Sequence, residues 1–247
     1  MERASKNVLF TIAMNLELPN LLRWCASNGR INKDVCQNND VWRSKLMKDY
    51  PDYQKFQLNR SLRETYVFLY QLSYIKSMLV DDESLYDIYL RKEIDWSGEG
   101  LKKVPAFDLP NLVHLDLLNN NLIEVPTFTL PNLKTLNLNN NLLIRIPRFD
   151  LPNLRVLDLS NNQLTQIPAF DLPNLEHLHL GNNSLTNIPG FDLPNLQVLD
   201  LYNNKLAEVP KFDLPNLKQL DLSGNRLTEI DKEELKEKYK SRVQIYL

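Results

Sequence analysis

One short phrase recurs through the second half of the chain and dictates its architecture. Leu-Pro-Asn-Leu begins at Leu109, Leu130, Leu151, Leu172, Leu193 and Leu214, one copy every 21 residues. Each copy opens a longer frame, in the first Leu112-x-x-Leu115-x-Leu117-x-x-Asn120-x-Leu122-x-x-Val125-Pro126, and the later copies hold the same register. A unit this short cannot bury an apolar face alone, so such repeats are stable only when stacked on one another. Leu115-Asp116-Leu117 alternates apolar and polar residues, the pattern of a short strand with one buried face. Equivalent strands should stack in parallel, about 4.8 Å apart. The asparagine column, Asn120, Asn141, Asn162, Asn183, Asn204 and Asn225, falls where each strand ends. A buried amide there can bond the backbone of its own and adjacent turns as a ladder.

Other columns complete the unit. Pro126, Pro147, Pro168, Pro189 and Pro210 belong on the side opposite the sheet, where a missing N–H breaks no ladder. Phe107, Phe128, Phe149, Phe170, Phe191 and Phe212 share the 21-residue spacing and predict a stacked aromatic spine. Asp108, Asp150, Asp171, Asp192 and Asp213 precede the Leu-Pro pairs, where a carboxylate can hold the amides of a tight turn. The convex segment is too short for an α-helix and predicts extended or 3₁₀ turns. The frame is that of the leucine-rich repeat, and the chain is identified as resembling that family. The expected fold is an α/β solenoid, a right-handed superhelix with a parallel β-sheet on its concave face, preceded by a small all-α domain.

The organisation expected is a helical module over 1–49, a helical linker or N-terminal cap over 50–93, repeats over 94–230 and a C-terminal cap over 231–247. Ile94 to Leu101 fits the frame as a degenerate first repeat, with Trp96 in place of a leucine and Glu99 in place of asparagine. After Ile230 the pattern breaks, Asp231 standing where proline is expected. A polar helix with Leu235 and Tyr239 on one stripe follows, and Val243 to Leu247 alternates as a closing strand would.

Outward side chains of the strands define the candidate binding face. A row of Asp116, Asn137, Asp158, His179, Asp200 and Asp221 runs down its middle, flanked by His114 and His177. An acidic row suits a protein partner presenting Lys or Arg, and Tyr202 is the best anchor for such a contact. His177 and His179 lie two apart on one strand, but neither a Cys nor a third His joins them, so no metal is expected. An open sheet offers no pocket for a nucleophile, a base and an orienting group, and no phosphate loop or metalloprotease motif occurs. Neither enzyme activity nor a cofactor is expected.

Before the repeats the periodicity is helical. Val8, Leu9, Ile12, Ala13 and Leu16 recur at helical spacing, and Leu18-Pro19-Asn20 opens a second segment. Val41, Trp42 and Leu46 mark a third, and residues 61–80 a longer helix. The run from Val8 through Leu22, closed by Val41-Trp42-x-x-x-Leu46, resembles an F-box. Through Asn28-Gly29-Arg30-Ile31 and Val35-Cys36-x-Asn38-Asn39-x-Val41-Trp42 it is particularly similar to F-box-like domains that giant DNA viruses of amoebae encode before repeat arrays. That resemblance implies an adaptor of a Skp/cullin-type ubiquitin ligase, the repeats holding the substrate. Its linker-facing residues would be Val8, Leu9, Ile12, Leu16, Pro19, Leu21 and Leu22. Ser5-Lys6-Asn7 departs from the usual opening Leu-Pro-x-Glu. The rival reading is a binding scaffold without a ligase link, its helical region serving as cap.

Composition closes off other classes. Lys+Arg 29 against Asp+Glu 31 leaves no basic excess for nucleic acid. No stretch reaches the roughly 20 apolar residues of a membrane span, and no signal peptide is read at the start. Cys25 and Cys36 read as buried free thiols in a reducing compartment, so cytoplasm is expected, host cytoplasm if the chain is viral. A capped array gives no strong reason to associate, and a monomer is expected.

Overall fold

The structure, a computed structural model, describes residues 6–27, 29–79, 82–208, 214–239 and 242–247, the side chains of residues 6–8, 30 and 34 excepted. The chain divides into two compact units, Met1–Tyr89 and Leu90–Leu247.

The first unit is helical. Its elements are α1 (Lys6–Asn15), α2 (Leu18–Ser27), a single turn α3 (Gly29–Ile31), a π-helical turn (Asn32–Cys36), α4 (Asn39–Asp49), a 3₁₀ turn (Tyr53–Phe56), α5 (Leu62–Met78) and α6 (Leu85–Leu90). Leu9, Ala13, Leu21, Cys25, Val35, Cys36, Trp42, Leu46, Leu69 and Leu72 form its core. Trp42 is closed in by Tyr66, ring centroids 5.6 Å apart, and donates from its indole nitrogen to the Cys36 carbonyl at 2.9 Å. Local signals place the helix starts. The Asn38 side chain accepts from the Asp40 amide. Ser61 and Glu64 form a capping box on α5, the reciprocal arrangement that satisfies two orphan amides.

The cysteine expectation is corrected here. Cys25, near the end of α2, and Cys36, closing the π-helical turn, form a disulfide with Cα atoms 6.1 Å apart. The bond falls at the end of the π-helical turn. Gln37 N–H reaches back five residues to the Asn32 carbonyl, and the widened turn buries two consecutive side chains, Val35 and Cys36.

The second unit is the repeat array. Eight strands lie in one parallel sheet in chain order: β1 (Glu93–Asp95), β2 (His114–Asp116), β3 (Thr135–Asn137), β4 (Val156–Asp158), β5 (His177–His179), β6 (Val198–Asp200), β7 (Gln219–Asp221) and β8 (Gln244–Tyr246), with α7 (Glu229–Tyr239) between the last two. Ile94 pairs with Leu115 and Leu115 with Leu136, so the degenerate first repeat joins the sheet in register. The closing strand pairs Ile245 with Leu220. The fold is a leucine-rich repeat solenoid preceded by an α-helical region, as the repeat frame predicts.

Inside the array the columns take their expected places. The spine phenylalanines Phe107, Phe128, Phe149, Phe170 and Phe191 are buried, Phe128 and Phe149 stacking at 6.5 Å; Phe212, Pro210 and Asp213 lie outside the described residues. The asparagine ladder forms. The Asn162 amide donates to Leu138 and Leu159 carbonyls at 3.0 and 3.1 Å and its oxygen accepts from Leu143 N–H. At the degenerate end Asn120 donates to the Trp96 carbonyl, and the buried Trp96 indole N–H has no hydrogen-bond partner among the described residues.

Asp150, Asp171 and Asp192 point away from the Leu-Pro turns that follow them. Asp150 and Asp192 are exposed, and Asp171 faces Arg148 at 3.5 Å. A second asparagine ladder holds those turns: Asn132, Asn153, Asn174, Asn195 and Asn216 each donate to the proline carbonyl of the repeat before, at 2.7–2.8 Å. An amide donates and a carboxylate does not, which is why the asparagine of Leu-Pro-Asn-Leu serves a carbonyl that the aspartate cannot.

Candidate functional site: the outward face of the sheet

At the end of most strands a side chain turns the backbone out of the sheet. Leu118 N–H donates to Asp116 Oδ1 at 2.9 Å, and Asn137, Asp158, Asp200 and Asp221 repeat this contact with the residue two positions on. An acceptor two residues back folds the backbone out of the ladder. The next residue then turns left-handed. Asn119, Asn140, Asn161, Asn182 and Asn203 have φ between 51 and 56°, and Gly98 and Gly224 hold the same position at either end. Asparagine tolerates that region better than other side chains, so the first asparagine of each Asn-Asn pair makes the turn and the second builds the ladder.

These turns bring the candidate residues of the array into rows. Asp116, Asn137, Asp158, His179, Asp200 and Asp221 align strand by strand, all of them half-buried. His114 is exposed and His177 half-buried in the neighbouring row. Tyr202 is 45% exposed. The acidic row is longer than the repeats alone suggest: Asp95 on β1 stands beside Asp116 and accepts from Ser97 N–H at 2.9 Å. Glu93 is exposed on the same strand. The alternation Glu93-Ile94-Asp95 is the signal that could have added them. Outward positions of β1 to β7 thus carry six carboxylates and three histidines and not one Lys or Arg.

The carboxylates are only partly free. One oxygen of each turn-forming aspartate is held by its own backbone, and Asn139 donates to the second oxygen of Asp158 at 3.1 Å. The fifth repeat departs from the rule. His179 stands where the others have Asp or Asn, so Gly181 receives no side-chain acceptor from two residues back. His179 Nδ1 lies instead 3.9 Å from Asp200 Oδ2. The contact with Asp200 raises the His179 pKa, burial opposes it, and the charges of Asp158 and Asp200 add to the rise. Burial pushes Asp200 up, but the His179 contact, the Tyr202 N–H and the His179 charge hold it below the ordinary carboxylate value. Gly181 gives that carboxylate room, since a Cβ there would stand 3.1 Å from Asp200 Oδ2. The His177 and His179 rings stack with centroids 6.3 Å apart. Among the described residues no cluster of three or more His, Cys, Asp or Glu is placed to hold a metal.

In the helical unit the six described candidate linker side chains differ in burial. Leu9 and Leu21 are core residues, Ile12 is 38% exposed, Pro19 is exposed, and Leu16 and Leu22 are half-buried. The Val8 side chain lies outside the described set. The face of α1 that turns inward is Leu9 and Ala13, one helical turn apart, which carries Ile12 outward.

Residues 131–172, 152–193, 173–213 and 194–237 match the family described as leucine-rich repeats in two copies. That match spans residues 131–237, and the array shares its fold with leucine-rich repeat domains of known structure. YopM from Yersinia enterocolitica WA-314 is 27% identical with a TM-score of 0.52, over 66% of this chain and 38% of its own. The chain therefore spans less than half the length of that relative. A Shigella effector leucine-rich repeat domain shares the fold at 18% identity and TM-score 0.52, over 73% of this chain and 96% of its own. Comparison with curated protein sequences gave no match. No helix among the described residues is long and apolar enough to cross a membrane.

Proposed function

We propose that the chain is a binding scaffold that captures a cationic segment of a partner protein on the outward sheet face. The observation that carries this reading is charge segregation. In a chain of nearly balanced charge, Lys+Arg 29 against Asp+Glu 31, the outward positions of β1 to β7 hold carboxylates and no Lys or Arg. His114, Asp116, Asn137, Asp158, His177, His179, Asp200, Tyr202 and Asp221 are the contact residues, with Tyr202 as anchor and the aspartates setting register and on-rate. The experiment is capture of partners from a defined panel of basic and acidic peptides by the wild type and by Asp158→Lys/Asp200→Lys. Selective capture of basic peptides, lost in the double variant, supports the reading. Capture indifferent to peptide charge, or unchanged by the reversal, overturns it.

A second reading makes the helical unit a docking module for a Skp-type linker, so that the scaffold would deliver its cargo to a ubiquitin ligase. It rests on the F-box resemblance and on the exposure of Ile12 and Pro19 beside half-buried Leu16 and Leu22. Burial of Leu9 and Leu21 leaves that patch small, and the scaffold reading needs no linker. Co-elution with a purified Skp-type protein at micromolar concentration would establish the adaptor; separate elution removes it and leaves the scaffold intact. Cytoplasmic placement goes with the adaptor and with reduced cysteines. The Cys25–Cys36 bond is what an oxidising compartment supplies.

A further inference from the structure

The repeat that breaks the turn rule marks a device. All three histidines of the chain, His114, His177 and His179, stand on the outward sheet face. Both cysteines are in the disulfide. Histidine is the side chain whose ordinary titration falls between about pH 5 and 8. Side-chain charge near neutrality therefore changes on this one face. His179 is the one of the three that stands in the acidic row. From β4 it is faced by Asp158 and from β6 by Asp200, with His177 beside it on its own strand. No Lys or Arg stands at an outward position of either neighbouring strand. Any other repeat would place Asp or Asn here and cap the amide two residues on. This one gives up the cap and gains a group that takes a proton.

We propose that His179 is a proton-operated switch of partner capture on this face. Neutral, it leaves Asp158 and Asp200 to attract a cationic segment; protonated, it engages Asp200, sets a positive charge beside Asp158 and repels that segment. The inference rests on the reading of the face as a cation-binding surface and adds its regulation. It stands on the placement of His179 between two carboxylates, and the contact with Asp200 raises its pKa from the ordinary histidine value.

A fluorescein-labelled oligolysine peptide serves as probe, its affinity measured by anisotropy from about pH 8 to about pH 5.5 at constant ionic strength. Binding should weaken on acidification, by about tenfold for each unit by which bound peptide lowers the His179 pKa. His179→Asn, which restores the side chain of the third repeat, should flatten the dependence. His114→Gln/His177→Gln should leave most of it. Peptide binding with the same affinity at both pH values, or a slope that survives in His179→Asn, overturns the switch while the cation-binding face stands. Histidine NMR titration of the free protein gives an arm that needs no partner: His179 should titrate above the ordinary value and fall in Asp200→Asn. Titration at or below the ordinary value overturns the switch even where the peptide binds, and loss of peptide binding at every pH overturns the face and the switch together.

Discussion

Asparagine does three different jobs in the central repeats, and only one of them is announced by the leucine frame. Asn162 shows the ladder role, donating to three carbonyls and accepting one amide. Asn162→Ala strands these groups beneath the sheet, and a buried group without a partner costs about 1–3 kcal/mol. Chemical denaturation should show a loss at the upper end of that range. A variant as stable as wild type would mean that water replaces the amide. Asn161, its neighbour, does backbone work at φ 55°. Asn161→Gly should be nearly silent, whereas Asn161→Val should cost about 1–2 kcal/mol. The ladder asparagines could be assigned from the sequence because a polar residue interrupted an apolar frame at a strand end. The left-handed ones could not, because any polar residue at a surface turn looks alike until its φ is known. His179 and Asp200 carry a pH signature of their own. A raised histidine pKa contributes stability that is present below about pH 6.5 and lost as pH rises through the raised value. A lowered aspartate pKa contributes stability present above about pH 4 and lost as pH falls through the lowered value. Both contributions coexist between those limits. The wild type should therefore melt slightly higher near pH 5.5 than near pH 8, by well under about 1 kcal/mol for so accessible a pair. His179→Asn should remove the difference.

Elements in this chain start where short polar motifs tell them to. Ser61-x-x-Glu64, Ser84-x-x-Asp87 and Thr228-x-x-Asp231 each close reciprocal bonds at a helix start. Asp231 thus has a positive role. It breaks the proline column because it is the capping acid of α7, and the array ends in a helix at that point. Ser61→Ala should destabilise the helical unit by about 1 kcal/mol, with faster amide exchange confined to the first turn of α5. The aromatic spine is the other element-level device. It was legible in the sequence, because a phenylalanine every 21 residues on the convex side has nowhere to go but inward. Phe128 touches both neighbours in the stack, at 5.3 and 6.5 Å. Phe128→Ala should cost about 3–5 kcal/mol through the cavity left behind, while Phe128→Leu should recover much of it. The π-helical turn was not legible, because one extra residue in a helical turn leaves no mark on a periodicity of three to four.

At the scale of the whole molecule, one covalent bond sets the helical unit apart. Val35 and Cys36 of the π-helical turn are both buried, the Cys36 carbonyl accepts from the Trp42 indole N–H, and Cys36 is bonded to Cys25. The closed loop spans 11 residues. Cross-linking a loop of this size restrains the unfolded chain by about 2–3 kcal/mol, a large share of the stability of a small unit. The repeat array has no such dependence, since its cohesion lies in leucine stacking, the spine and two asparagine ladders, none of them redox-sensitive. Reduction should therefore act on one unit. With reductant, amide exchange should speed up across α2, the π-helical turn and α4, while strands β2 to β6 keep their protection. Cys25→Ala/Cys36→Ala should behave like the reduced wild type and lose all response to reductant. Equal loss of protection in both units would show that the array depends on the helical unit for its stability. No change in either would show that packing of Trp42 and Leu46, and not the bond, holds the helices.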